Sequence, residues 1–459
     1  MMQKLREIQP QKAFIIIGIF FGVLFLVVTP PFQVNDEIAH FYKTYAISDG
    51  QVLPGSGGKT TIFMPESLKV TTSNFSSLIF HSERKQDINS LISTLKLPLN
   101  PDKLIGYSSI LTYPPLPYVA SALVIAVVKL FGASPLLLMY FGRLINLLVW
   151  SLFVYLAIKI TPIHKWVFLL LALMPMTLFL SASLSADSFT LGLTFLSIAI
   201  FFKLAFDPLK TVLNRKDMLI LIFLIVMLAL SKQIYVLLLL LFLLIPSLKF
   251  ENKKTRIYLL LILSLPAVLI PILWNYFFKI TNLISPLSSV SRQTIYVFSN
   301  PLKLLQIIFA TTIHNQGYIP SFVGIFGWNQ TPLPNVLVYA YLAVLVIVAF
   351  NDNSSIKVNQ KQKLIALTIF ILTFFLANLY EYITFTAVGF NQIIGVQGRY
   401  FIPIAPLIFL LFYQNKSKLE FLDTINFKFR NYSHLAIILF IILTLSFSIF
   451  IQLNRYYTY

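Results

Sequence analysis

Apolar runs recur from one end of this chain to the other, and they are too long and too continuous to belong to a soluble core. They fall approximately at Ala13 to Thr29, Tyr118 to Phe131, Leu136 to Ile158, Trp166 to Leu184, Phe189 to Phe206, Met218 to Leu230, Ile234 to Leu248, Ile257 to Phe278, Val336 to Phe350, Leu364 to Tyr382, Tyr400 to Tyr413 and Leu435 to Ile451. A membrane helix needs about 20 mostly apolar residues, because the hydrocarbon layer offers backbone groups no partner outside their own segment. The runs are uninterrupted rather than alternating, which argues against a β-barrel. Of 459 residues, 58% are hydrophobic and only 11% charged, so the bilayer must be the solvent. The expected fold is an all-α polytopic membrane protein, a single membrane domain over residues 1–459.

Charge then orients the chain. Lys4, Arg6 and Lys12 precede the first run, no small-residue cleavage site follows it, and the sequence continues into Pro30-Pro31. This predicts an uncleaved first membrane helix with a cytoplasmic N-terminus. The connections Lys203 to Lys216, Lys249 to Arg256, Lys357 to Lys363 and Lys416 to Arg430 are basic and belong in the cytoplasm. They all fall there if the run Tyr118 to Phe131 lies in the outer interface instead of crossing, which leaves about eleven spanning helices. Two large external loops result, 30–131 with interfacial helices and 279–335. The net charge of +19 is then a matter of loops facing anionic lipid, with no nucleic-acid partner implied. With no cysteine, disulfides, thiol catalysis and cysteine zinc sites are excluded.

The external side gathers the ionisable residues that carry chemistry. After Pro30-Pro31, Asn35 reads as a helix N-cap and Gly50 as a stop, so Asp36 and His40 share a face one turn apart. Asp36 and Glu37 also suit the positive end of a helix dipole with no further role. Asp187 sits at the junction of two apolar runs, where it serves either as a cap or as a functional carboxylate at the membrane edge. Two such acids could hold a divalent cation, Mg²⁺ or Mn²⁺ if any, or one could act as a base while the other orients a hydroxyl. Lys232 and Arg399 are either side chains reaching for water or ligands for a lipid-borne phosphate, to which the planar arginine fork is suited. Around His314-Asn315-Gln316-Gly317-Tyr318 and Gly324 to Asn329 the second loop mixes amides with aromatics, as carbohydrate surfaces and interfacial anchors both do. There is no GxGxxG, Walker A or GxSxG motif, so a nucleotide-driven pump and an α/β-hydrolase lose support.

The Asp-Glu pair after the first helix, the run Tyr113-Pro114-Pro115-Leu116-Pro117-Tyr118, the segment Phe141-Gly142-Arg143-Leu144, Asp187 and Lys232 together resemble the GT-C superfamily of membrane glycosyltransferases. The segments Pro31 to Gly50, Tyr113 to Asn146, Met174 to Asp187 and Gln397 to Pro406 more specifically resemble the bacterial membrane proteins grouped as domain of unknown function 2142. The resemblance implies a GT-C-like fold and transfer of a sugar from a polyprenyl-phosphate donor to a cell-envelope glycan or lipid-linked acceptor, on the extracytoplasmic face of the cell membrane. It implies catalytic roles for Asp36, Glu37 and Asp187, Asp36 being the base, and binding of the donor phosphate by Lys232 and Arg399. His40 and Tyr113 are further candidates for substrate contact. A transporter or flippase of a lipid-linked sugar, or an envelope polysaccharide polymerase, is the alternative. Asn35 stands where related enzymes commonly have proline.

Overall fold

A computed structural model of the chain describes residues 9–52, 61–108, 113–277, 289–315, 317–351, 356–415 and 420–458. The beginning of the second loop at 279–288, Gln316, and the basic residues Lys416 and Lys418 lie outside the described residues. The protein is mostly helical, 72%, with little sheet. Among the described residues six helices are long and apolar enough to cross a membrane: α1 (Pro10–Val28), α2 (Pro135–Ile160), α3 (Ala186–Phe206), α4 (Lys253–Phe277), α5 (Gln360–Thr384) and α6 (Glu420–Tyr456, apolar over His434–Tyr456). Shorter apolar helical segments accompany them at Gln233–Leu244, Asn335–Asn351 and Gly398–Phe412.

Burial ranks these helices by position. The apolar window of α3 is 83% buried, whereas that of α4 is 17% and that of α5 is 22% buried, so α3 is the axis and the latter two present most of their surface outward. In a chain this apolar, outward leucines and phenylalanines are what lipid contact requires. Along the axis α3 packs on α2, and α2 on α1, through large side chains, with Phe189 against Phe153 and Trp150 against Phe14.

Prolines divide several of the apolar runs. The run from Trp166 to Leu184 becomes two helices, Lys165–Ala172 and Pro175–Ser181, because Pro175 has no N–H to continue the first and suits the opening of the second. The run from Tyr400 is a 3-10 segment, Gly398–Ile404, followed by Ala405–Phe409 and a further 3-10 turn. Gln233–Leu244 is also 3-10, over 12 residues, and at about 2.0 Å per residue it covers about 24 Å. The helix Val119–Lys129 has 11 residues, about 16 Å, roughly half of a hydrocarbon core.

The described parts of the first loop pack together. Strand β1 (Thr61–Pro65) pairs antiparallel with β2 (Leu104–Ser108) in the register Phe63↔Gly106, across two intervening helices, a pairing the hydropathy pattern does not announce. Phe32, Phe41, Tyr45, Met64 and Phe75 form a second small core that closes on Leu136, Met139 and Leu184 of the membrane part. The C-terminal end of α6 is fastened to this unit, with Arg455 donating to the carbonyls of Leu78, His81 and Arg84. At the opposite end the connections meet one another: Leu213 N–H donates to Lys249 O, Lys249 Nζ to Asp207 O, and Lys363 Nζ to the carbonyls of Leu411 and Tyr413.

Candidate functional site

Where α1 ends, α3 begins and α5 ends, a cavity of about 450 Å³ opens. Asp36, His40, Tyr113, Asp187, Lys232 and Arg399, which are spread over the whole sequence, all line it. Leu376, Ala377, Leu379 and Ile383 of α5, with Ile234, add an apolar stretch to a wall that also carries Gln233, Asn275, Thr373 and Glu381.

Asp36 immediately precedes the helix Glu37–Ser48. The expected cap at Asn35 is displaced by one residue: Asp36 occupies the N-cap position with φ of 62°, and no side chain caps the helix. A left-handed backbone at a residue with a side chain costs of order 1 kcal/mol and persists only where the surroundings impose it. The Asp36 carboxylate is exposed, and among the described residues nothing bonds to it. One turn on, His40 is buried and its Nδ1 lies 2.8 Å from the Tyr118 hydroxyl, with the Tyr113 ring nearly parallel at 6.2 Å. Burial pushes the His40 imidazole down to about 4 despite the opposing pull of Asp36 and Asp187, which keeps it neutral near pH 7. Burial likewise raises the Tyr113 phenol well above its ordinary value, so it stays protonated.

Asp187 opens α3 behind a Ser185 cap and forms an ion pair with Lys232, both side chains being largely buried. Lys232 also faces the rings of Tyr113 and Tyr400, at 5.5 and 5.8 Å. Burial opposes its charge, but the Asp187 carboxylate outweighs that and holds the ammonium above its ordinary pKa. The Ser231 and Thr190 hydroxyls meet at 3.0 Å, and the Tyr235 hydroxyl donates to Tyr400 O, which ties this turn to both flanking elements.

Arg399 is 5% exposed, and its Nε finds no hydrogen-bond partner among the described residues. Gly398 places it. A Cβ on Gly398 would stand 1.9 Å from Tyr318 O, and its N–H donates to Ser321 Oγ. The close backbone approach at this glycine is to the helix Tyr318–Val323. Glu381, at the end of α5, is a cavity residue that the sequence reading passed over. Its signal was present, an acid at the end of the apolar run Leu364 to Tyr382, where an ionisable group is costly unless used.

Glu37 stands apart from the cavity. It is fully buried, and its oxygens accept from Arg143 and from the backbone N–H groups of Phe32 and Leu184. The amide and aromatic residues of the second loop are also elsewhere: Trp328 Nε1 donates to Phe32 O and packs edge-on against Phe80, and Asn315 accepts from Gly317 N–H. As a metal site the cavity fits poorly. Asp187 is committed to Lys232, Arg399 adds a second cation, and among the described residues no three Asp, Glu or His side chains gather to hold an ion.

No curated protein and no solved structure matches this chain. Over residues 19–408, from within α1 to the segment that carries Arg399, the sequence matches the family described as predicted membrane protein (DUF2142), and the chain belongs to that family of membrane proteins.

Proposed function

We propose that this protein is a glycosyltransferase that takes a sugar from a polyprenyl-phosphate donor on the extracytoplasmic face and passes it to a hydroxyl of a cell-envelope acceptor. The observation that carries this reading is the division of the cavity wall. A carboxylate with no partner among the described residues, Asp36, shares a pocket with two cations, Lys232 and Arg399, and an outward-facing apolar helix supplies part of the wall. The cations and the apolar wall suit an amphiphile with an anionic head and a hydrocarbon tail, and the carboxylate suits a base acting on the acceptor beside it.

Sidedness follows from charge. The basic connections around Lys249 and Lys363 cluster at one end of the bundle, and the positive-inside rule makes that end cytoplasmic. Eleven crossings result if the short and broken apolar segments also span and the 11-residue helix Val119–Lys129 does not. The cavity then opens outside.

In the reaction, the acceptor hydroxyl gives its proton to the Asp36 carboxylate as its oxygen attacks the anomeric carbon. The bond from that carbon to the phosphate oxygen breaks, and the electron pair leaves with polyprenyl phosphate. Lys232 and Arg399 stabilise the charge that develops there, in a site partly closed to water. Attack opposite the leaving group inverts the anomeric centre. Asp187 keeps Lys232 in place, and the carboxylate of Glu381 accepts hydrogen bonds from sugar hydroxyls. No step passes through a metal.

The test uses the purified protein in lipid nanodiscs with a labelled polyprenyl-phosphate sugar and candidate acceptors. Asp36→Asn is expected to lower kcat by about 100-fold or more with the donor still bound. Turnover unchanged by this substitution would remove Asp36 from the role of base, and lipid movement across the bilayer without sugar transfer would make the protein a transporter.

A further inference from the structure

We propose that the buried Glu37–Arg143 pair is a positioning device that sets the two acidic sides of the cavity, Asp36 and Asp187, against each other. Its catalytic meaning rests on the glycosyltransferase reading above; its geometry does not.

The pair is complete on both sides. Glu37 Oε1 accepts from Arg143 Nε at 2.8 Å and from Leu184 N–H at 2.9 Å. Oε2 accepts from Arg143 Nη2 at 2.6 Å and from Phe32 N–H at 3.1 Å. The remaining guanidinium hydrogens go to the carbonyls of Leu26 and Thr29 from Nη1, and of Pro30 from Nη2. Both side chains are 0% exposed. One arginine thus uses all five donors to hold the end of α1, the turn that follows and the first residue of the Glu37–Ser48 helix.

Each backbone grip bears on the segment that leads into a cavity carboxylate, Phe32 before Asp36 and Leu184 before Asp187. Phe32 and Asp36 both have left-handed backbones, φ 63° and 62°, in the short turn that Arg143 and Glu37 clasp. Leu184 lies three residues before Asp187. On the same face of α2, one turn beyond Arg143, Asn146 donates to the carbonyls of Ser183 and Ser185, and its own carbonyl accepts from Ser188 Oγ. Gly142 allows this approach, since a Cβ there would come within 2.8 Å of the Leu184 side chain. The run Phe141-Gly142-Arg143 with Asn146 therefore acts through two loops it does not belong to.

Removing one partner leaves a charge buried, so single variants confound folding with position. The decisive variant is the double Glu37→Leu, Arg143→Met, which removes both charges at similar volume. We expect its thermal midpoint to fall, because the carbonyls of Leu26, Thr29 and Pro30 and the N–H groups of Phe32 and Leu184 lose their partners, while well below that midpoint kcat falls about tenfold or more and KM for the donor stays within about twofold, as misplaced reacting groups require. Arg143→Lys, which keeps charge but loses the fork, should fall between the two. Hydrogen exchange read by mass spectrometry should show peptides covering 30–37 and 181–188 losing protection together in the double variant, with 233–244 unchanged. Wild-type kcat in the double variant, or loss of protection in only one of the two peptides, would overturn the inference. If the wild type transfers no sugar from any donor, the functional reading fails while the exchange measurement still decides the positioning.

Discussion

Behind Asp36 and Asp187 every donor of Arg143 is used, and Glu37 and Asn146 help it hold two loops against α2. Across the cavity Glu381 and Arg399 stand on elements that are outward-facing or short, and among the described residues the guanidinium Nε of Arg399 finds no partner. Buried polar groups cost free energy unless they are paired, so the two buried arginines differ in how completely the fold itself holds them. The difference teaches which side is built before a ligand arrives and which side is completed by one. A pre-set carboxylate opposite an adaptable cationic wall suits a ligand whose phosphate and tail vary less than the direction of attack.

The largest expected effect breaks the ordered side. Arg143→Met leaves the Glu37 carboxylate buried and uncompensated, which should cost about 3–5 kcal/mol of stability, whereas Glu381→Gln on the adaptable side should change it by about 0.5 kcal/mol or less. Unfolding midpoints in one detergent compare the two directly. Equal losses would mean that the walls do not differ.

Next comes a pH effect at His40, on the ordered side. The unfolded chain binds a proton at this imidazole below about pH 6.5, but the folded chain resists until about 4, because burial disfavours the charged ring. The unfolded state therefore holds more protons in that window. Stability falls as pH drops from 6.5 to 4, by up to about 3 kcal/mol from this group. His40→Gln should flatten that part of the stability profile relative to the wild type, and a parallel profile would show that His40 is not held neutral.

Gly398 sharpens the comparison from the other side. Alanine there would drive a methyl group into Tyr318 O, and relief by backbone movement should cost about 1–3 kcal/mol and carry Arg399 with it. Donor binding should weaken more than Asp36-dependent chemistry. Equal loss of both would place Gly398 in general packing.

How much of this could be read from the sequence divides along the same line. Membrane character is legible because each run is long and continuous, and Asp36, Asp187, Lys232 and Arg399 are legible because an ionisable residue beside hydrocarbon asks for a reason. Their supports are not. Glu37 looks equivalent to Asp36 in the chain, yet one faces the cavity and the other is consumed by Arg143, over a hundred positions away. The cap expected at Asn35 moves to Asp36 for a related reason: the Glu37 carboxylate takes the Phe32 N–H, and the chain turns through a left-handed residue to allow it. Glu381 was hidden by its apolar surroundings, and the first-loop strand pair by a sequence whose strands contact a core assembled from distant segments.

The smallest effect is the most informative about the cationic wall. Arg399→Lys keeps the charge but presents a point ammonium in place of a planar fork, and Lys232→Gln removes a charge while also freeing Asp187. If the fork grips two oxygens of one phosphate, Arg399→Lys should raise KM for the polyprenyl-phosphate sugar about tenfold, near 1.4 kcal/mol, with kcat little changed. Lys232→Gln should lower kcat as well, since an unpaired Asp187 carboxylate would then repel the leaving phosphate. The same binding measured with polyprenyl phosphate alone separates the two contributions: it should weaken in both variants if both cations hold the phosphate. Binding that weakens only in Lys232→Gln would assign the phosphate to Lys232, and would leave the Arg399 guanidinium to the sugar.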